Sequence, residues 1–345
     1  MATQTKKLSI AFYWHMHQPV YQLTPTGDYL MPWVRLHAVK DYLDMVLILD
    51  KFKNIKLNFN LVPVLLDALI DYGQNGYDIH SRLSIADVED LTDDDKEFII
   101  NNFFDANYHY MILPNEEYNR LYQKIQLSDT NDLNIFSNQE YSDLMALFNL
   151  AWFDPIYKNK YPELKKLIQK GKNYTLEDRI KIIDIQRDII REIIPAYKKY
   201  MEDGKIEITT SPYYHPILPI LLDFKNIKTA PESDLPEDLK MQTDAKEQTQ
   251  MALDRIEEIF GKRPKGIWPS EHCINSKVAE MLSELGVKWT ISDEGVLSNS
   301  INFEFIRDFR GYLEDPYHLL KTYNHKNVDI IFRYAMIPNL IGFEY

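Results

Sequence analysis

Two short apolar runs that each lead to a carboxylate constrain this chain more than any other feature. The first covers residues 266–271 and ends in Glu271, and the second covers residues 287–294 and carries Asp293. Between them, residues 275–285 place apolar side chains at helical spacing and are followed by a glycine, which predicts a helix and its end. The stretch is therefore a strand–helix–strand unit with two parallel, neighbouring strands, and both carboxylates follow the C-terminal ends of those strands.

A pair of facing carboxylates is what the hydrolysis of a glycosidic bond requires. In an α/β barrel, the C-terminal edge of the strands is also where catalytic residues lie. The alternative is that Glu271 and Asp293 are unrelated surface acids, because structural and catalytic carboxylates look alike in a sequence. Glu294 follows Asp293 directly, and alternation along a strand would point it the other way, so we interpret it as structural.

Two histidines follow the first predicted strand. Residues 8–14 form a buried apolar run, and His15 and His17 come directly after it. Side chains at positions i and i+2 of an extended chain point the same way, so the pair suits either a metal ion or a polar ligand. A metal ion is the less favoured reading, because no third ligand lies close by in the sequence.

The rest of the chain alternates between strands and helices. Further strands are predicted over residues 56–61, 204–210 and 327–333, and the strand at 204–210 delivers Tyr213 and His215 to its C-terminal end. Helices are predicted over residues 33–52, 175–200 and 237–260, with a large helical insertion over about 81–200. Strands that alternate with helices, and that are followed by polar and aromatic residues, predict one α/β barrel domain over residues 1–345 with its site at one face.

Composition limits the partners and the compartment. The chain has 345 residues and a formal net charge of −13, which argues against nucleic acid and against a polybasic membrane patch. Cys273 is the single cysteine, so no intramolecular disulfide can form and a reducing compartment is expected. The first residues lack a signal-peptide core, and no apolar run reaches membrane-spanning length. These features predict a soluble, cytoplasmic protein.

Five segments, in order, are similar to the signature regions of one enzyme family. The chain resembles glycoside hydrolase family 57, in particular its amylopullulanase-like and α-amylase-like members, over nearly its whole length. The matching segments are His15-Met16-His17-Gln18-Pro19, residues 208–219, Trp268-Pro269-Ser270-Glu271, residues 292–297 and residues 331–343. Five ordered matches are far more specific than any single motif.

The resemblance implies a fold, a reaction and a set of site residues. The family fold is an incomplete (β/α)7 barrel followed by a helical region, and its members act on α-glucans with retention of configuration. Glu271 matches the family's nucleophile and Asp293 its general acid/base. Substrate contacts are implied for His15, His17 and His215, as hydrogen-bond partners of sugar hydroxyls, and for Trp14, Tyr213 and Trp268, as stacking faces. No cofactor and no metal ion is implied.

The expected pKa values follow from those roles. Two close carboxylates disfavour simultaneous ionisation, so one of the two should have a raised pKa. The general acid has to carry a proton before it can donate one, and we therefore assign the raised pKa to Asp293.

The match departs from the family pattern near the end of the chain. Close relatives carry Asp-His and Ser-Asp where this sequence has Tyr334-Ala335 and Pro338-Asn339. The sequence stops at Tyr345, whereas family members continue into helices that pack beside the barrel. We therefore expect weak glucan activity, and either self-association or a partner chain that covers the apolar surface.

Two other functions stay open from the sequence. A metal-dependent hydrolase of a related seven-stranded barrel, such as a family 38 mannosidase or a polysaccharide deacetylase, would begin its zinc site with His15 and His17. The aspartate that such sites add is missing from this segment. A non-catalytic glucan-binding relative would fit the altered fifth region. Within the favoured reading, the sequence does not separate hydrolysis from transfer or branching.

Overall fold

Two compact units share the chain, and each draws on separated parts of the sequence. The computed structural model describes residues 9–24, 27–127, 132–223 and 241–343. The helical unit consists of Val20–Ile55 and Leu65–Lys205, and the strand unit of Met1–Pro19, Lys56–Val64 and Ile206–Tyr345. The helical unit therefore takes in more of the chain than the insertion predicted over residues 81–200. The single-domain reading stays a prediction.

Helices build the helical unit. The α-helices are α1 (Trp33–His37), α2 (Asp44–Leu47), α3 (Pro63–Gln74), α4 (Ile79–Ser84), α5 (Asp93–Asn102), α6 (Glu116–Gln126), α7 (Asn138–Ala151), α8 (Pro155–Lys160), α9 (Pro162–Lys170) and α10 (Leu176–Glu202). Shorter π and 3-10 turns lie at Ala38–Tyr42, Ile48–Lys51, Val88–Asp90 and Tyr108–Ile112. The helix predicted over residues 33–52 is confirmed as a succession of helical segments. Thr175 and Asp178 form a reciprocal cap at the start of α10, which explains why the predicted start is confirmed.

A buried arginine ties the helices of this unit together. Arg35 in α1 is 1% exposed, and its guanidinium donates to both carboxylate oxygens of Asp78, at 2.7 and 3.1 Å. It also donates to Asn149 of α7 and Gln186 of α10, at 2.7 and 2.6 Å. Burial alone would raise the pKa of Asp78, but the charge and hydrogen bonds of Arg35, the charge of His80 and the backbone N–H of Ser81 together outweigh burial, and the pKa is lowered. The fully paired charge links α1, the start of α4, α7 and α10.

A buried histidine predicts acid sensitivity of the helical unit. His80 in α4 is 2% exposed and lies against the rings of Phe103 and Phe148, and burial lowers its pKa to about 4. Asp78 lies 3.9 Å from its ring and opposes this shift, while Arg35 adds to it. Because the unfolded chain binds this proton more tightly, the free energy of unfolding falls as the pH drops from about 6.5 to about 4.

The measurement is denaturant unfolding of the full chain at several pH values. The shift at His80 is expected to cost up to about 3 kcal/mol of unfolding free energy between the two limits. His80→Leu should remove that part of the pH dependence, whatever its effect on stability at neutral pH. His109→Leu, which replaces an exposed histidine of the same unit, should leave it in place. Equal pH slopes for the wild type and His80→Leu would contradict the prediction.

Parallel strands build the other unit. They are β1 (Tyr13–Met16), β2 (Leu57–Leu61), β3 (Ile206–Thr209), β4 (Gly266–Ile267), β5 (Trp289–Asp293), β6 (Tyr323–His325) and β7 (Val328–Arg333). β1, β2 and β3 pair in parallel in that order, as do β4, β5 and β7, while β6 runs antiparallel to β7. A parallel bridge between Thr210 and Ile267 connects the end of β3 to β4. Parallel neighbours therefore follow one another from β1 to β7.

The predicted strands are present, with two differences. β1 begins at Tyr13 and includes His15, because its backbone pairs with β2 from Tyr13 to Met16. The sequence placed this strand over residues 8–14, of which residue 8 lies outside the described residues. β6 was not predicted: it is a three-residue antiparallel edge strand with mostly exposed side chains, so it carries no hydrophobic pattern.

Helices pack on these strands, and two apolar clusters lie among them. They are α11 (Leu218–Leu222), α12 (Gln242–Phe260), α13 (Ser276–Glu284), α14 (Glu294–Ile301) and α15 (Met336–Phe343), with a 3-10 turn at Ser270–His272. Ile267 of β4, Leu282 of α13 and Val328 of β7 are fully buried in the same cluster. β4, α13 and β5 thus confirm the predicted strand–helix–strand unit. Of the helix predicted over residues 237–260, residues 237–240 lie outside the described chain.

The fold class is mixed α/β, as predicted. Within the described residues no pairing closes β7 onto β1, so the barrel itself stays a prediction. None of the helices that the structure describes combines the length and the apolar character needed to cross a membrane.

Candidate active site

Both predicted catalytic carboxylates follow neighbouring parallel strands. β4 and β5 pair in parallel, Glu271 comes shortly after the end of β4, and Asp293 is the last residue of β5. The hydroxyl of Ser292 donates to the carbonyl oxygen of His272 at 2.7 Å. That bond ties the residue after Glu271 to the residue before Asp293. The two acids therefore belong to one edge of the sheet, as the sequence predicts.

Aromatic rings also lie along the strands, and a glycine makes room for one of them at the start of β5. A Cβ on Gly266 would come within 2.3 Å of the Trp289 ring, so the ring packs against bare backbone. Tyr13 lies between two indoles, with ring centroids 4.8 Å from Trp268 and 5.7 Å from Trp289. A side chain at Gly266 would displace Trp289 and, through it, Tyr13.

Three histidines meet near Trp268. His15 and His17 come from β1 and the residues after it, and His215 comes from the loop after β3. One ring nitrogen from each lies within 4.8 Å of the other two. The expectation that the His15–His17 pair lacks a third nearby ligand is therefore wrong. β1 and β3 flank β2 in one parallel sheet, so their C-terminal ends share an edge although some 200 residues separate them in the sequence.

An asparagine fixes the orientation of one of these rings. Asn60 is fully buried, and its side-chain oxygen accepts from Nδ1 of His15 at 2.6 Å and from the hydroxyl of Ser211 at 3.1 Å. Nδ1 of His15 is therefore protonated, and Nε2 is left as the acceptor. The ring also stacks on Trp268, at 4.8 Å between centroids.

Desolvation favours the neutral form of these imidazoles. It lowers the pKa of His15 to about 4 and that of His215 to about 3, and the neighbouring histidines add to the shift at His215. It also lowers the pKa of His17, where the negative charge of Glu271 opposes the effect. His272, which packs against Trp268, has a pKa lowered to about 4, again through burial.

Several buried polar atoms at this edge have no hydrogen-bond partner among the described residues. They are the side-chain nitrogen of Asn60, Nε2 of His215, the hydroxyl of Ser270 and Nε2 of His272. Buried polar groups in native proteins are nearly always paired with protein, water or ligand. Four such atoms on residues of one strand edge are typical of a site built to receive a polar ligand.

Three residues of the site adopt backbone conformations that favour glycine. His215, Glu271 and His272 have φ of 58°, 55° and 58°. Such conformations cost about 1 kcal/mol or more each for residues with a side chain, and they concentrate at functional sites. Nothing in the residue types gives this away, because none of the three is a glycine or an asparagine.

Asp293 is held as a carboxylate. Arg333, at the end of β7, donates from Nε to Asp293 at 2.7 Å, and the backbone N–H of Gly295 donates to its other oxygen at 2.9 Å. Burial pulls the pKa of Asp293 upward, but the Gly295 amide and the Arg333 guanidinium outweigh it and the pKa is lowered. The raised pKa expected for this residue is therefore wrong for the free protein, because the sequence did not show that Arg333 faces Asp293.

Glu294 has the contacts of a structural residue. It is 8% exposed, its carboxylate pairs with Arg307, and it accepts from the backbone N–H of Ala335 at 3.2 Å. Glu294 begins α14 and does not continue β5, so the strand alternation from which its structural role was predicted does not apply to it. Its contacts are nevertheless those of a structural residue. Ala335, in the segment that departs from the family pattern, is thereby anchored next to the site.

A sequence model described as glycosyl hydrolase family 57 matches residues 11–345. This chain belongs to glycosyl hydrolase family 57. The matched residues include the strand ends that carry the histidines and the two carboxylates. A comparison with curated proteins found no match.

Solved structures of family 57 enzymes show a distant likeness. The α-amylase of Thermotoga maritima has a TM-score of 0.47 and 16% identity, covering 95% of this chain and 46% of the amylase. A branching enzyme of Thermococcus kodakaraensis has a TM-score of 0.48 and 14% identity, covering 97% and 49%. The 4-α-glucanotransferase of Thermococcus litoralis has a TM-score of 0.44 and 13% identity, covering 96% and 29%. The family 57 chain spans about half the length of these proteins, or less.

The structure supports some of the predicted substrate contacts and not others. Trp268 lies next to His15, which is grouped with His17 and His215, so the structure brings these four predicted contacts together, and their binding of substrate stays a prediction. Tyr13 and His15 both contact Trp268, and alternation along β1 puts Trp14 on the opposite face, so stacking of a sugar beside the histidines is not supported for Trp14.

Tyr213 lies two residues before His215, in the segment that follows β3. Its ring lies 5.0 Å from that of Tyr214, and its backbone N–H donates to Gln248 at 3.1 Å. Those contacts leave its role as a stacking face a prediction.

Sequence reasoning missed three residues of the candidate site. Asn60 and Arg333 lie at the C-terminal ends of β2 and β7, so the rule that singled out Glu271 and Asp293 would have found them. The sequence assigned no role to His272, which directly follows Glu271 in a 3-10 turn.

Proposed function

We propose that this family 57 chain is an enzyme that breaks α-glucosidic bonds with retention of configuration, in the manner of an α-amylase or amylopullulanase. The observation that carries the proposal is the placement of Glu271 and Asp293 after adjacent parallel strands. Three neutral histidines, Trp268 and unpaired buried polar atoms on the same strand edge support it. We also propose that the strands form the incomplete (β/α)7 barrel of the family, because Tyr13 of β1 reaches the ring of Trp289 on β5.

In the first half of the proposed reaction, a carboxylate oxygen of Glu271 forms a bond to the anomeric carbon. The glycosidic C–O bond breaks as it does so, and Asp293 donates a proton to the departing oxygen. In the second half, Asp293 takes a proton from a water molecule or from a sugar hydroxyl. That oxygen attacks the anomeric carbon and releases Glu271. Attack by water is hydrolysis, and attack by a sugar is transfer.

The surrounding residues would bind and orient the sugar. His15 has its Nδ1 proton committed to Asn60, so its Nε2 would accept from a sugar hydroxyl. His215 presents a buried Nε2 without a partner in the described chain, which suits a second hydroxyl. Trp268 would stack against the ring, as indoles do with apolar faces.

Asp293 has to gain its proton when the substrate binds. In the free protein it is paired with Arg333, and its pKa is lowered. A bound sugar would exclude water from the carboxylate and so strengthen the burial that already pulls the pKa upward. Arg333 would then set how far the pKa has to rise before Asp293 can act as an acid.

This arrangement predicts a pH shift. Arg333→Met should raise the pKa of Asp293 and move the alkaline limb of the kcat/KM profile to higher pH, since that limb reports the free enzyme's acid. Arg307→Met is the matched control, because Arg307 pairs with the neighbouring Glu294, and it should move the limb far less. An alkaline limb that does not move in Arg333→Met would argue against Asp293 as the acid.

Incubation with maltoheptaose, followed by chromatography, tests the function itself. Shorter products alone indicate hydrolysis, and a ladder that includes longer chains indicates transfer. NMR detection of α-configured initial products would support retention, and β-configured products would contradict it. No product would favour the non-catalytic glucan-binding relative. Weak activity, self-association or a partner chain, and a cytoplasmic location stay predictions from the sequence.

A metal-dependent hydrolase is the second candidate function. The observation that favours it is the third histidine, His215, which joins His15 and His17. Activity that disappears on dialysis against a chelator and returns with zinc would select this candidate. The carboxylate pair makes it the weaker proposal, because acid, base and nucleophile are already present without a metal ion.

A further inference from the structure

We propose that His15, His17 and His215 form a binding site for a divalent transition-metal ion of the zinc class, and that this ion competes with the glucan for the same imidazoles. The first half of the inference stands on the geometry of the histidines. The second half rests on the proposed function.

The geometry of the three rings suits a small cation. Zinc takes imidazole nitrogens at about 2.0–2.1 Å, which places the ligands of a tetrahedral ion about 3.3 Å from one another. One ring nitrogen from each of His15, His17 and His215 lies within 4.8 Å of the other two. Binding would draw the nitrogens together by up to about 1.5 Å, through rotations about the side-chain bonds. Three protein ligands leave a fourth position for water or an exogenous ligand.

The hydrogen bond to Asn60 prepares one ligand. Metal-binding histidines usually donate their other ring N–H to an oxygen, which fixes the tautomer and the ring orientation. Nδ1 of His15 makes such a bond to the oxygen of Asn60 at 2.6 Å, and the hydroxyl of Ser211 donates to that same oxygen at 3.1 Å. Nε2 of His15 is thus the nitrogen left to bind an ion.

The other ligands and their surroundings agree with this arrangement. Nε2 of His215 is buried and has no partner within the part of the chain that the structure describes. The rings of His17 and His215 are stacked, with centroids 4.3 Å apart, so both lie in one small region, and one of the two rings would turn out of the stack when both nitrogens bind one ion. Glu271 places its negative charge near His17, which favours a cation.

The ligand set selects the class of metal. Imidazole nitrogens favour zinc, copper, nickel and cobalt, whereas magnesium and calcium prefer oxygen. A bound ion would use the lone pairs that a sugar hydroxyl would otherwise donate to. Metal binding and sugar binding at these imidazoles would therefore exclude each other.

Calorimetric titration of the chelator-treated full chain with ZnCl2 tests the site, and Co2+ absorption reports the coordination. We expect one ion per chain. His215→Ala and His17→Ala should each weaken zinc affinity by at least about 100-fold, and Asn60→Leu by about 10- to 100-fold. His325→Ala, which removes an exposed histidine of the same unit, should bind zinc as the wild type does. Thermal unfolding of each variant verifies folding, and Asn60→Leu keeps all three ligands if an alanine variant does not fold.

The absence of zinc binding by the wild type would overturn the site. Wild-type zinc affinity in folded His17→Ala and His215→Ala would also overturn it. In the activity assay, zinc should raise the KM for maltoheptaose with little change in kcat, and a chelator should reverse this. Zinc that activates the enzyme would overturn the competition. If the chain proves inactive, the titration still decides the site, and displacement of bound maltoheptaose by zinc decides the competition.

Discussion

Glu271→Gln and Asp293→Asn are each expected to lower the turnover of maltooligosaccharides by about 10³-fold or more, the scale on which removal of a covalent catalyst acts. The amide of Glu271→Gln cannot attack the anomeric carbon. The amide of Asp293→Asn can neither donate a proton to the departing oxygen nor accept one from the attacking water or sugar hydroxyl. Glu271 is exposed and Asp293 partly so, and neither lies in an apolar cluster, so both variants should stay folded. Initial rates on maltoheptaose, with circular dichroism and thermal unfolding as folding checks, provide the measurement.

Glu294→Gln is the matched control for these variants. It removes the carboxylate next to Asp293, but one that pairs with Arg307, so it should lower stability more than turnover. Added azide should restore part of the activity of Glu271→Ala and yield a glycosyl azide, because the small anion can occupy the place of the missing carboxylate. Near-wild-type turnover in either catalytic variant would refute the assignment. An unrescued Glu271→Ala would weigh against Glu271 as the nucleophile.

Arg35→Met is expected to lower the free energy of unfolding by about 3–5 kcal/mol, the cost of leaving one member of a buried ion pair without its partner. Asp78 is fully buried and would lose both guanidinium hydrogen bonds, and Asn149 and Gln186 would each lose a donor. Because Asp78 would take up a proton more easily once Arg35 is gone, the loss should shrink as the pH falls. Denaturant unfolding at neutral and acidic pH measures both effects.

Two comparisons separate burial from charge in this prediction. Arg82 pairs with Asp28 at 2.8 Å in the same unit, but the two side chains are 52% and 43% exposed, so Arg82→Met should cost only about 1 kcal/mol. Adding Asp78→Asn to Arg35→Met should recover part of the loss, since no buried charge is then left and asparagine still caps α4. Equal costs for Arg35→Met and Arg82→Met would show that the buried network does not hold the helices.

Two kinds of pattern allowed much of the strand unit to be predicted. Residues 266–294 alternate between apolar runs and helical spacing, and the C-terminal ends of parallel neighbours share an edge, so the placement of Glu271 and Asp293 followed from local patterns alone. The family match confirms what the five ordered segments indicated. Edge strand β6 and the exact start of β1 could not be predicted from the sequence, because backbone pairing fixes them and side-chain periodicity does not.

The sequence by itself determined which residues stand at strand ends, since period-two and helical spacing are local properties of the chain. Only the tertiary structure decided which of those ends face one another. His215 joins His15 and His17 because β1 and β3 flank β2, and no spacing in the sequence encodes that neighbourhood. In the same way, Arg333 reaches Asp293 because β7 pairs with β5, and that contact reverses the pKa shift that the role of Asp293 alone would suggest. Electrostatics depends on distance in space, and that distance is set by strand pairing between segments far apart in the chain.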